Sequence, residues 1–242
     1  MTAGLDGKRE SLSCCIASTA ARRYRTYAPM SSLPPDADDP TAARLRAGPR
    51  LDPAGPEFWS ARYREGFTPW DAGGVPSALE AFLRGEGSPL RVLVPGCGSA
   101  YEVRVFDAAG HDVLAIDFSA SALERAREIL GSLSPRLRQA DFFTDDLGGP
   151  FDLVYERAFL CALPRRLWTR WAARIAELLP PGGRLAGFFF ASGEPRGPPF
   201  GLRPGELEGL LAQAFERVDD RAVADSIPVF AGGERWQVWR RR

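Results

Sequence analysis

Leu90-Arg91-Val92-Leu93-Val94-Pro95-Gly96-Cys97-Gly98, followed by Asp112-Val113-Leu114-Ala115-Ile116-Asp117, is the pair of runs on which the reading of this chain turns. An apolar strand enters a Gly-x-Gly turn, a helix follows, and a second strand ends in a carboxylate nineteen residues after Gly98. Glycines there permit backbone shapes and close approaches that a Cβ would obstruct. A carboxylate at the tip of the second strand can accept hydrogen bonds from both hydroxyls of a ribose. That pattern fits two cofactors, the dinucleotides and S-adenosylmethionine.

Three features favour S-adenosylmethionine. A dinucleotide fingerprint carries a third glycine three residues after Gly98, where the helix meets a pyrophosphate; here that position is Tyr101. Ala140-Asp141-Phe142-Phe143 closes a third short strand with an acid and two aromatics, suited to an adenine amino group and its ring faces. Leu178 to Leu185, reading Leu-Leu-Pro-Pro-Gly-Gly-Arg-Leu, ends a helix and starts a strand where class I methyltransferases carry such a turn.

Strands are expected at 90–95, 112–117, 137–141, 151–156 and 183–190, with helices near 99–109, 119–131 and 166–179. Such βα alternation specifies a parallel sheet with helices on both faces. Ser119 is the expected N-cap of the second helix, which leaves Asp117 free for a ribose. Pro204 opens a helix to about Phe215, and two antiparallel strands near 216–224 and 235–240 complete seven. The fold class is α/β, Rossmann-like and mostly parallel. Ligands of such sheets bind beyond the carboxyl ends of the strands, so Gly96, Asp117, Asp141 and Glu156 should gather at one edge.

The other segments bound the problem. Residues 1–55 read as a flexible extension, rich in Ala, Ser, Arg and Pro. Met30 is a plausible true start within it. The folded domain is expected over 56–242, opening with a short helix from Glu57 that places Trp59 and Tyr63 one turn apart. A glycine stops this helix, Thr68-Pro69-Trp70-Asp71 makes a turn, and Val75 to Leu83 forms another helix.

Formal charge is balanced, 31 basic against 31 acidic residues, so no nucleic-acid or anionic-membrane partner is demanded. No apolar run is long enough to span a bilayer. Cys14, Cys15, Cys97 and Cys161 lack metal-ligand spacing, so a reducing, cytoplasmic setting is the plain expectation, with no metal. His111, the single histidine, reads as a surface residue before the second strand. Monomer is the default.

The chain resembles the thiopurine S-methyltransferase superfamily, which includes plant thiol, halide and thiocyanate methyltransferases. The matching segments are Phe58-Trp59 through Gly66-Phe67-Thr68-Pro69-Trp70-Asp71, Val94-Pro95-Gly96-Cys97-Gly98, Asp141-Phe142-Phe143, Tyr155-Glu156-Arg157 with Ala162-Leu163-Pro164, and Gly197-Pro198-Pro199-Phe200. The resemblance implies that Trp59, Tyr63 and Trp70 form a flap, within 56–75, over cofactor and substrate. It implies that Gly96 passes the methionine moiety, with Gly98 completing the turn. Asp117 would hold the ribose, and Asp141-Phe142 would meet the adenine. Arg157 would lie at the cofactor–substrate junction.

Three departures matter. Many relatives carry tryptophan at Tyr63, and the acid before the arginine is usually Asp rather than Glu156. Plant halide and thiocyanate enzymes tend to carry tyrosine at Arg157, which tilts the expectation toward a thiol or thiopurine-like acceptor.

The expected reaction is methyl transfer to a small-molecule sulfur nucleophile, with Arg157 lowering a bound thiol's pKa. Asp71 is the candidate for proton removal, and Phe67, Trp70 and Phe200 shield the site. The alternatives are halide, thiocyanate or metalloid methylation, then a nicotinamide oxidoreductase or a non-catalytic S-adenosylmethionine-binding regulator. Asp141 could instead be a cap, Trp59 and Trp70 core aromatics, and Glu156 and Arg157 a salt-bridged loop end. Cys97 and Cys161 read as small buried packers.

Overall fold

A computed structural model of the protein describes residues 51–194 and 196–242. The reading of 1–55 falls largely outside the described residues. Seven strands form one sheet in the order β3-β2-β1-β4-β5-β7-β6. They are β1 (Arg91–Pro95), β2 (Asp112–Asp117), β3 (Leu137–Gln139), β4 (Leu153–Arg157), β5 (Arg184–Phe190), β6 (Phe215–Ala222) and β7 (Glu234–Arg241). β3, β2, β1, β4 and β5 pair in parallel, while β7 runs antiparallel to both β5 and β6. Strand order reverses between β1 and β4, which opens a crevice at their carboxyl ends.

The parallel strands read as unbroken apolar runs because both faces are covered. On one face Leu93, Ile116, Val154, Leu185 and Phe189 pack against α5 (Trp168–Leu178) and α6 (Glu206–Leu211), led by Trp171, Ile175 and Leu211. On the other, Val92, Val94, Val113, Tyr155 and Phe188 meet α2 (Ser77–Arg84), α3 (Glu102–Ala108) and α4 (Ala120–Leu130) through Leu79, Phe106 and Leu123. Each such side chain stabilises the fold by roughly 1.5–3 kcal/mol when fully buried.

Helix ends follow their local chemistry. The Ser119 hydroxyl accepts the Ala122 N–H at 3.2 Å, as expected of the α4 N-cap. α1 (Pro56–Arg64) starts on a proline and ends in a Schellman motif. There Gly66 lies at φ +67 and the Phe67 N–H donates to the Arg62 carbonyl at 2.9 Å.

Four expectations need correction. β3 stops at Gln139 rather than at 141, because the Asp141 carboxylate captures the Phe143 N–H at 2.7 Å and turns the chain. α3 starts at Glu102 rather than 99, the preceding loop being spent on left-handed turns. α6 covers only Glu206–Leu211, since Gly205 at φ +74 cannot continue a helix from Pro204. His111 is buried: its Nδ1 accepts the Leu90 N–H at 3.1 Å and its ring meets Phe106 edge-on. No described helix is long and apolar enough to cross a membrane.

Gly187 of β5 lies so close to β4 that a Cβ would stand 1.9 Å from the Glu156 carbonyl oxygen, whereas a Cβ at Gly209 of α6 would meet nothing within 4 Å. Gly187→Ala should therefore cost about 1–3 kcal/mol, lowering Tm by ~2–4 °C per kcal/mol. Gly209→Ala should raise stability by about 0.5–1 kcal/mol. Urea and thermal denaturation of the two variants read this contrast.

Candidate active site

The loop leaving β1 alternates into left-handed backbone at Gly96 (φ +58), Gly98 (φ +52) and Ala100 (φ +55). The Cys97 N–H donates to the Ile116 carbonyl at 2.9 Å, tying the loop to the end of β2. Space also requires the glycines. A Cβ on Gly96 would stand 2.3 Å from the Phe159 ring, and one on Gly98 2.3 Å from the Tyr63 hydroxyl oxygen.

Asp117 ends β2 inside this loop. Its Oδ2 accepts the Gly98 N–H at 3.1 Å and its Oδ1 accepts the Ser119 N–H at 2.8 Å. Burial raises its pKa to about 6, against the lowering effect of these backbone donors. Ionised, a carboxylate offers about four lone-pair sites, so two occupied positions leave acceptor capacity.

α1 and the turn after it lie over the loop. Trp59 and Trp70 meet edge to face with ring centroids 5.3 Å apart, and the Trp70 indole N–H donates to the Tyr63 hydroxyl at 3.4 Å. The Trp59 indole donates to the Pro53 carbonyl at 2.8 Å. The Asp71 N–H closes a turn onto the Thr68 carbonyl, and the Asp71 carboxylate accepts the Ser99 hydroxyl at 2.5 Å. Ser60 of α1 and Ser119 share a hydrogen bond at 2.8 Å. These contacts, with the Tyr101 hydroxyl donating to Asp71 at 3.5 Å, fasten the aromatic segment to the glycine loop and to the N-cap of α4.

Arg157, at the end of β4, is nearly buried, with Nη1 3.7 Å from Oε1 of Glu102 and its guanidinium over the Phe188 ring. Glu156 does not share that direction, because successive strand residues point to opposite faces. Its Oε1 accepts the Phe159 and Leu160 N–H groups at 2.9 and 2.7 Å, and burial pushes its pKa up to about 8. The two residues are therefore no salt-bridged pair.

One cavity of about 250 Å³ gathers the site residues expected from the sequence: Trp59, Tyr63, Trp70 and Asp71 from the flap; Gly96, Gly98 and Asp117; Asp141 and Phe142; and Arg157. Phe67, Pro198 and Pro199 also line it. Glu156 and Phe200 do not; they line a separate small pocket with Cys161 and Phe188. Phe142 is both cavity wall and core, edge-on to Phe143 and Phe159. Cys97 and Cys161 are buried free thiols whose burial raises their pKa.

Sequence reasoning missed Arg62, Glu102, Phe118 and Phe159, which also line the cavity. For Glu102 a signal existed: an acid beside Val103 on the apolar face of α3. Among the described residues no cluster of His, Cys, Asp and Glu is arranged to hold a metal.

The fold has counterparts. A crystal structure of the Burkholderia thailandensis 1,6-didemethyltoxoflavin-N1-methyltransferase, with its substrate and S-adenosylhomocysteine bound, superposes with a TM-score of 0.63 at 22% identity. It covers 80% of this chain and 92% of that one. Magnesium protoporphyrin IX methyltransferase from Synechocystis, with S-adenosylmethionine bound, gives 0.57 at 17% identity, over 84% and 90%. Both establish likeness of fold.

Sequence relatives are nearer. Thiocyanate methyltransferase 1 of Brassica oleracea is 31% identical over 76% of this chain and 84% of its own length. A probable thiol methyltransferase 2 of Arabidopsis thaliana is 35% identical over 63% and 70%. A thiopurine S-methyltransferase of Xanthomonas campestris is 27% identical over 72% and 90%. The model of the thiopurine S-methyltransferase family matches residues 54–242, from just before α1 to Arg242. This chain belongs to the thiopurine S-methyltransferase family, whose members are S-adenosylmethionine-dependent methyltransferases.

Proposed function

We propose that the cavity binds S-adenosylmethionine and that the protein methylates the sulfur of a small thiol or thiopurine-like acceptor. The observation that carries this reading is the meeting of three parts around one space: a glycine loop without room for a Cβ, the buried Asp117, and an aromatic flap fastened over both. The relatives' names, covering thiol, thiocyanate and thiopurine acceptors, support sulfur as the methylated atom.

The residues fit the cofactor. Asp117 has acceptor capacity left for two ribose hydroxyls, and the bare glycines give the methionine portion a path along the loop. Phe142 and Phe143 offer ring faces to the adenine. The first oxygen of Asp141 is held by the Phe143 N–H, leaving the second for the adenine amino group. Trp59 and Trp70 present aromatic faces, which favour a cation.

Bound S-adenosylmethionine supplies a methyl group on a positively charged sulfur, already activated for displacement. The protein's work is then to align the acceptor and exclude water, and alignment is worth ~7–11 kcal/mol in favourable cases. Asp71 serves this through its hold on Ser99 more than as a base. Arg157, paired with Glu102, lines the cavity where the acceptor must be aligned and holds that wall in shape. The buried free thiols Cys97 and Cys161 suit a reducing, cytoplasmic setting.

Calorimetric titration tests the cofactor assignment. S-adenosylmethionine and S-adenosylhomocysteine should bind and NAD should not, with binding lost in Asp117→Ala; binding of NAD alone overturns the assignment. The pH dependence has a definite sign. With its pKa raised to about 6, Asp117 is ionised at pH 7 and about nine-tenths protonated one unit below that pKa. S-adenosylhomocysteine affinity should therefore fall about tenfold from pH 7 to pH 5, and Asp117→Asn should bind weakly with no such slope. Because burial raises this carboxyl above its unfolded value, its effect on the ligand-free fold runs the other way, favouring acid between pH 4 and 6. In steady-state kinetics, Arg157→Ala should lower turnover much more than Asp71→Ala. Equal and negligible losses would sink this account of the site.

A further inference from the structure

The acceptor wall contains a carboxylate that the reaction above does not use. Glu102 stands in the first turn of α3, is 7% exposed, and lines the cavity. The alternation of β4 places Tyr155 and Arg157 on the sheet face covered by α3, which brings Arg157 to Glu102. At 3.7 Å the contact is ionic and too long for a hydrogen bond. The guanidinium therefore offsets the carboxylate's charge.

Arg157 brings no net positive charge to this wall. Its charge is offset by the Glu102 carboxylate at 3.7 Å, and the Asp225 carboxylate also lies within its electrostatic reach. The other guanidinium on the cavity, Arg62, is turned onto the Phe58 ring in α1. Phe67, Leu163, Pro198, Pro199, Val229 and Phe230 make the remaining acceptor surface apolar. A pre-formed anion gains little here, and a neutral polarisable group gains burial. Burial and the facing Asp71 raise the proton affinity of Glu102, while Arg157 lowers it.

Resting on the methyl-transfer reading, we propose that Glu102 sets the charge of the acceptor: the site admits a neutral thiol in preference to an anion, and the Glu102 carboxylate accepts the thiol proton. The S–H bond breaks with its proton passing to a Glu102 oxygen. The electron pair left on that sulfur forms the bond to the methyl carbon, while the pair of the broken methyl–sulfonium bond stays on the donor's sulfur. A neutral thioether leaves, and the Glu102 proton passes to water.

The test compares a neutral alkyl thiol with thiocyanate, an anion that has no proton to lose. Both are measured on the wild-type protein, Glu102→Gln and Glu102→Asp. Turnover is followed for each acceptor. Thiocyanate binding is read separately, from tryptophan fluorescence of the S-adenosylhomocysteine complex. Wild-type protein should prefer the thiol by at least tenfold in kcat/KM. Glu102→Gln should lose thiol methylation by a hundredfold or more while binding thiocyanate about tenfold more tightly. Glu102→Asp should keep the wild-type order.

A wild-type preference for thiocyanate overturns the proposal whatever the variants do. A Glu102→Gln protein that retains S-adenosylhomocysteine binding but loses both acceptors in parallel also overturns it, reducing Glu102 to a support for Arg157. Wild-type protein that binds no S-adenosylhomocysteine overturns the methyl-transfer reading first, and the proposal with it.

Discussion

The Gly98 amide and the Asp117 carboxylate lie 3.1 Å apart, and the rest of the site is arranged around that contact. It joins the loop after β1 to the tip of β2, and it fixes the direction in which α3 leaves the sheet. The loop reaches the carboxylate only through left-handed backbone, which costs ~1–2 kcal/mol at a residue with a Cβ such as Ala100 and little at glycine. Tyr63 then closes on Gly98 and Phe159 on Gly96. A side chain at either glycine would strain the turn and displace an aromatic wall together.

From this contact the flap acquires its place. Ser99, in the loop, donates to Asp71; Ser119, next to Asp117, shares a hydrogen bond with Ser60. The aromatic segment is thus fastened to the two sides of the glycine turn rather than to the sheet. Hydrogen bonds to a charged partner contribute about 1.5–3 kcal/mol and those between neutral groups about 1 kcal/mol. The attachment is thus modest in strength, a few polar contacts rather than a packed core. Charge is likewise held in check, since Arg157 works as one half of a nearly buried ion pair with Glu102.

The sheet was legible in the sequence because its strands are apolar on both faces and its helices on one, a contrast that survives without tertiary knowledge. Ser119 was legible as a cap, and the glycine–aspartate pair as a site, because each is a local requirement of backbone geometry. What escaped were competitions between local choices. Asp141 turned the chain two residues before the expected strand end by bonding its own neighbourhood. Gly205 shortened α6. Glu156 was grouped with Arg157 by adjacency, although strand alternation sends the two to opposite faces, one into the loop amides and one into the cavity. Glu102 escaped because its meaning depends on Arg157, fifty-five positions away, arriving on the same sheet face.

The central claim is that one cavity aligns a sulfonium methyl with an acceptor sulfur. The direct measurement is mass spectrometry of acceptors incubated with the protein and S-adenosylmethionine carrying a deuterated methyl group, over a panel of thiols, thiopurines, thiocyanate and iodide. The account predicts a labelled thioether from at least one thiol or thiopurine, abolished by Asp117→Ala. Label on no sulfur acceptor, in protein shown to bind the donor, would contradict it.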